Sequence, residues 1–164
     1  GRADIMGKFD PSRPGAYPHG GTFNNNVLAM AAGFTGLTKV LTADRLAGMN
    51  GLGDRLRGKL QSIADERGMP VQVTGTGSIF GIHFGAMPIR NIADQQRNER
   101  GREAAIAELK KLFHLEMLAS PIYIARRIMG TLSIETSESD ADALAAAFDS
   151  FLETYGPLVR DTVG

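Results

Sequence analysis

The residues best suited to chemistry lie near the start of the chain, at His19-Gly20-Gly21-Thr22-Phe23-Asn24-Asn25-Asn26. Two glycines let a backbone approach a ligand closely. Thr22 adds a hydroxyl donor. The asparagines tolerate unusual dihedral angles and lead into an apolar-periodic stretch. The loop therefore ends on the positive N-terminus of a helix, where anions bind. Together these are the parts of a phosphate cradle. The competing reading is a glycine turn that only caps the helix, and such turns are abundant. It is not a P-loop, because no Gly-Lys-Ser/Thr follows.

Other candidates are weaker. In Gly75-Thr76-Gly77-Ser78-Ile79-Phe80-Gly81 the third glycine comes one residue too late for a dinucleotide fingerprint, and a strand follows where a helix is required. That stretch reads as a hairpin or bulge. His19, His83 and His114 form no i, i+4 pair and have no carboxylate at ligand spacing, so no metal site is expected. Arg126-Arg127, near an expected strand end, could grip a substrate carboxylate as a fork; the alternative is a pair of solvated arginines. Gln95 to Arg102 reads as a solvated helix face.

The elements that must position these residues follow from the apolar spacing. Residues 1 to 25 are loop-rich, broken by Pro11, Pro14, Gly15, Pro18, Gly20 and Gly21. Asn26 caps a helix whose stripe is Val27, Met30, Ala31, Phe34, Leu37 and Leu41. Thr42-Ala43-Asp44 breaks it, and a second helix carries Leu46, Met49, Leu52, Leu56, Leu60 and Ile63 to a stop at Gly68. The join between the two is expected to be irregular. Period two then predicts strands at Val71–Thr74 and Ser78–Phe84, with Phe80, Ile82 and Phe84 on one side. A helix is expected over 95–117, short strands at Tyr123–Ala125 and Thr131–Glu135, and a last helix opened by capping spacing at Ser137–Asp140 and Ser139–Asp142. Gly156-Pro157 should weaken its end. This is an α+β layer structure.

Composition narrows the function. The chain has 164 residues, 43% hydrophobic and 22% charged, so a packed core is expected. Eighteen basic residues balance eighteen acidic ones, which speaks against nucleic acid or an anionic membrane as the dominant partner. There is no cysteine, hence no disulfide framework and no thiolate chemistry; this leaves the compartment unread, though it fits the cytoplasmic setting that is expected. The start, Gly1-Arg2-Ala3-Asp4-Ile5-Met6, reads like the middle of a longer protein.

Four stretches, taken in order, resemble the C-terminal part of class III, fold type I pyridoxal-phosphate aminotransferases, with glutamate-1-semialdehyde aminomutase as the nearest relative. Gly1-Arg2-Ala3-Asp4-Ile5-Met6 is similar to the family's Gly-Arg-x-Asp-Ile-Met segment. His19 to Gly33 is similar to its Gly-Thr-x-Ser/Asn-Gly-Asn-Pro-Leu-Ala-Met-Ala-Ala-Gly signature. Gly75 to Phe84 resembles its Gly-x-Gly-Ser-Met-Phe-Gly strand pair, and Tyr123 to Asp142 its late strand and final capped helix. Val27 stands where the family has Pro, and Asn25 where it has Gly.

The resemblance implies a fold, a division of domains and a cofactor. Residues 1–42 would be the tail of the large cofactor-binding domain, with its phosphate-contact loop and interdomain helix. Residues 43–164 would be the small C-terminal domain, a short, mainly antiparallel sheet with helices on one face. Gly21 and Thr22 would contact the phosphate of pyridoxal phosphate held by the neighbouring subunit of a homodimer. Arg127 sits where some relatives place an arginine near a small amino or keto substrate. The Schiff-base lysine would lie upstream, since Lys8, Lys39, Lys59, Lys110 and Lys111 have the wrong context. No catalytic residue is therefore assigned, and the chain alone is expected to be inactive. The readings from other classes are a self-standing α+β interaction module and a small phosphate-ligand enzyme using His19 and Thr22.

Overall fold

A computed structural model describes residues 1–20 and 26–164. The chain forms two compact units, Gly1–Thr42 and Ala43–Gly164.

In the first unit a short helix, α1 (Ala3–Met6), runs into a tight turn at Gly7–Phe9. Phe9 then stacks against Tyr17 at 6.0 Å and His19 at 5.7 Å. Helix α2 (Val27–Thr35) follows. Asn26 caps it as expected, its side chain accepting the Ala29 N–H at 3.0 Å. The helix widens into a π turn at Gly36–Val40 and ends at Leu41, whose backbone is no longer helical. The join is irregular as expected, but the irregularity lies at Gly36–Val40, whereas α3, which holds Gly48, Gly51, Gly53 and Gly58, is uninterrupted. The apolar stripe of α2 is uncovered: Val27 is 79% and Phe34 69% exposed.

The second unit begins with α3 (Ala43–Glu66), which buries Leu52, Leu56, Leu60 and Ala64. Gly68, at φ +60, reverses the chain into strand β1 (Val71–Thr76). A two-residue turn at Gly77–Ser78 leads to β2 (Ile79–Phe84), paired antiparallel with Val71 opposite Phe84 and Thr76 opposite Ile79. Phe80, Ile82 and Phe84 enter the core, as the alternation requires. β3 (Met129–Thr131) adds to the other side of β2. Among the described residues the sheet is three-stranded, in the order β1-β2-β3.

Several expectations are corrected. The helix expected over 95–117 is two helices, α4 (Ile92–Glu99) and α5 (Glu103–Ala119). The chain breaks at Gly101, which takes φ +79, a conformation open to glycine. The face from Gln95 to Arg102 is not wholly solvated: Asn98 is buried and clamps both backbone polar groups of Met87. Tyr123–Ala125 is extended but joins no ladder, and the strand expected at Thr131–Glu135 is instead Met129–Thr131. Helix α6 (Glu138–Val163) runs straight through Gly156-Pro157. The missing Cβ of Gly156 leaves room for the Met69 methyl group, so packing overrides the local signal.

The core joins α3, α5, α6 and the inner face of the sheet. Phe113 is its centre, edge-on to Phe84, Phe148 and Phe151 at 6.2, 6.2 and 4.9 Å. No helix among the described residues is long and apolar enough to cross a membrane.

Candidate functional site

Two places carry the chemistry singled out above, one in each unit. Gly21 and Thr22 themselves lie outside the described residues. What is described is the frame on either side. His19 is exposed and held edge-on by Phe9. On the other side, Asn26 directs its carboxamide at the Ala29 N–H, and its carbonyl accepts from Met30 at 2.9 Å. The amides ahead of Ala29 have no acceptor within the helix. The loop thus empties onto an N-terminus of positive potential, the donor set a phosphate needs.

The second place is a turn. The Ile128 N–H donates to the Ala125 carbonyl at 2.7 Å, which puts Arg126 and Arg127 at its two corners. Both are exposed, and among the described residues neither meets a carboxylate. Several other arginines are matched: Arg45 with Glu135, Arg55 with Glu138, Arg67 with Asp149. A pair of planar, permanently charged forks without partners is suited to holding a carboxylate from outside.

Beside this turn is a cleft of about 580 Å³, walled by Phe80, Ile122, Tyr123, Met129, Leu132 and Leu144. The sequence reading missed it, because its walls come from four separate segments. Its one carboxylate, Asp140, accepts hydrogen bonds from the Ser137 N–H at 2.8 Å and hydroxyl at 2.7 Å, which hold its pKa below the usual range. The cleft can shelter an apolar group, and this acid is already engaged in capping α6.

The remaining titratable groups are structural. His83 is half-buried, with Nε2 2.8 Å from the Thr74 hydroxyl. Burial, aided by the charge of Lys110, pushes its pKa down. Burial also acts to raise Glu99, but hydrogen bonds from Lys110 and Gln95 outweigh it and leave the carboxyl below its ordinary value. No group of three or more metal-ligating side chains gathers among the described residues. Lys59, Lys110 and Lys111 are ion-paired to Asp142, Glu99 and Glu108 at 2.8, 2.7 and 2.6 Å.

Comparison with known proteins gives the frame a family. The chain is 36% identical over 159 residues to a β-phenylalanine transaminase of Variovorax paradoxus, across 97% of this chain and 35% of the relative. It is 31% identical over 141 residues to a glutamate-1-semialdehyde 2,1-aminomutase of Opitutus terrae, across 86% of this chain and 31% of the relative. The crystal structure of a β-phenylalanine aminotransferase from V. paradoxus superposes with a TM-score of 0.84 at 37% identity, over 96% of this chain and 35% of that one. A transaminase with PLP bound superposes with a TM-score of 0.73 at 26% identity, over all of this chain and 35% of that one. No family model matches. The chain spans about a third of the length of the relatives it matches. Its α+β fold is that of their C-terminal part, and the relatives it matches along nearly its whole length are class III pyridoxal-phosphate aminotransferases.

Proposed function

We propose that the chain is the C-terminal part of an enzyme that moves amino groups with pyridoxal phosphate, either between an amino donor and a keto acceptor or within one substrate. In this reading residues 1–42 are the tail of the cofactor-binding domain and residues 43–164 the small domain. The observation that carries it is the likeness to β-phenylalanine transaminase in both sequence and fold, along nearly the whole of this chain. When bound, the cofactor supplies an electron sink for bond breaking beside the substrate nitrogen.

The chain's own residues recognise and orient. Gly21 and Thr22, backed by the N-terminus of α2, hold the cofactor phosphate of the neighbouring subunit in a homodimer. The donor set just described fits that anion. Arg127 offers its guanidinium to the carboxylate of a small amino or keto acid. The bare apolar stripe of α2 supports a partner surface. This reading takes the reaction to be cytoplasmic.

The lysines provide the test. All five, Lys8, Lys39, Lys59, Lys110 and Lys111, are free of the Schiff-base role in this reading. The purified chain is mixed with pyridoxal phosphate, reduced with borohydride and mapped by peptide mass against a denatured control. No lysine should be labelled above that control, and no amino transfer should be seen. Selective, stoichiometric labelling of one lysine would overturn the assignment. For the phosphate, pyridoxine 5′-phosphate should shift the amide resonances of residues 21–28 and pyridoxine should not. Thr22→Ala should abolish the difference; equal shifts in the variant would remove Thr22 from the site.

A further inference from the structure

The turn that presents Arg126 and Arg127 is held more tightly than an ordinary surface turn. On its near side Ile124 is buried, and its carbonyl oxygen lies 2.7 Å from Nδ1 of His114 on α5. A carbonyl can only accept, so Nδ1 carries the proton and donates. On its far side Ile128 is fully buried, and its carbonyl accepts the N–H of Ile82 on β2 at 3.0 Å. Ile128 also sits at φ +53. A β-branched residue rarely enters the left-handed region, and such strain persists only where the surroundings over-determine it. Earlier in the segment, the Ile122 N–H donates to the Met117 carbonyl at 2.8 Å, tying its start to the end of α5.

We propose that His114 is a positioning residue for the Arg126–Arg127 turn. Its Nδ1–H fixes the Ile124 carbonyl, and with Ile128 clamped in the core this leaves the intervening arginines one way to face. The proposal rests on the reading of Arg127 as a carboxylate site. A buried histidine could have been replaced by an apolar side chain if filling space were its only task. Here the ring donates to a backbone carbonyl in a segment whose two adjacent guanidinium groups meet no carboxylate among the described residues. Tyr123 stands edge-on to the same ring at 6.2 Å while 82% exposed, so the ring lies just beneath the outer surface of this segment. Preorganisation of this kind shows in ligand affinity, because a group held loosely by even an ångström binds poorly.

The test uses the full chain and glutarate as the carboxylate probe, followed at the Nε–H resonances of Arg126 and Arg127. The wild-type chain should give a saturable shift that Arg127→Ala abolishes. His114→Asn places an amide donor where Nδ1 lies and should keep the affinity within about twofold, while His114→Gln and His114→Leu place none there and should weaken it about tenfold. Melting temperatures are measured alongside. A purely structural role would lower them in all three variants without separating Asn from Gln and Leu in affinity. Wild-type affinity in every variant, or equal loss in Asn and Leu, overturns the positioning role and leaves Arg127 standing. If the wild-type chain shows no saturable shift, the Arg127 reading fails and the proposal falls with it.

Discussion

Gly53 sits on α3 where the helix meets the Gly77–Ser78 turn. An added Cβ there would overlap the Gly77 carbonyl and come within 2.8 Å of the Ser78 Cα. Two neighbours on the same helix lock the approach: the Asn50 side chain accepts the Ser78 N–H at 3.1 Å, and Arg57 donates to the carbonyls of Gly77 and Ile79. Gly53→Ala should therefore destabilise the chain by about 1–3 kcal/mol, the range for overpacking. Gly58, on the same helix, has nothing within 4 Å of such a Cβ. Gly58→Ala should stabilise by about 1 kcal/mol, the difference in helix propensity. Urea denaturation of the two variants checks both signs, and a shared sign would refute the close approach. The sequence shows four glycines inside this stretch and does not distinguish them, because the distinction depends on a turn more than twenty residues away. The site has the same limit. The paired arginines were legible as a motif, but the His114–Ile124 bond and the left-handed Ile128 arise from tertiary packing that no spacing rule encodes.

Elements with a strong period were legible, and those whose ends depend on packing were not. The stripes of α2 and α3 and the alternation of β2 placed those elements, and for α3 and β2 their buried faces as well. The α4–α5 break turned on the conformation of one glycine, and β3 was set by where β2 offers partners. The caps at Asn26 and Ser137, being chemistry within four residues, were read directly, whereas the Asn91 cap of α4 was not. The Ser137 hydroxyl accepts the Asp140 N–H at 3.2 Å, and the Asp140 carboxylate accepts the Ser137 N–H at 2.8 Å, a reciprocal box. Ser137→Ala should cost about 1 kcal/mol at neutral pH. The pH dependence has a definite sign. Hydrogen bonds from the Ser137 backbone and then its hydroxyl hold Asp140 below the usual carboxylate range. A folded pKa below the unfolded one gives stability that is present above the unfolded value and lost as pH falls through the folded one. The difference between wild type and Ser137→Ala should therefore shrink on acidification through that window. Thermal melts at a series of pH values measure it, and a gap that widens at low pH would contradict the box.

At the scale of the whole molecule the two units divide their apolar surface very differently. Among the described residues the buried core cluster draws only on residues from Leu52 to Val163. In the first unit, Val27, Met30, Phe34 and Leu37 are each at least 62% exposed. A stripe of that kind exceeds what a soluble surface normally leaves open, and it marks a face that another surface covers. The homodimer in the proposed function supplies such a surface, and the same helix carries at its N-terminus the loop assigned to the phosphate. Association and phosphate contact would then be two uses of one element. This separates the face from the core in a measurable way. Met30→Lys with Phe34→Lys puts two charges on the stripe and changes no core residue. Sedimentation velocity should show less self-association than wild type. Surface changes outside a core shift stability by only about 0.5 kcal/mol, so the cooperative unfolding reported by near-ultraviolet circular dichroism of the core aromatics should stay in place. Unchanged association in the double variant would show that the stripe is not the contact. A large fall in the unfolding midpoint would show that α2 contributes to the stability of the fold as well as to its contacts.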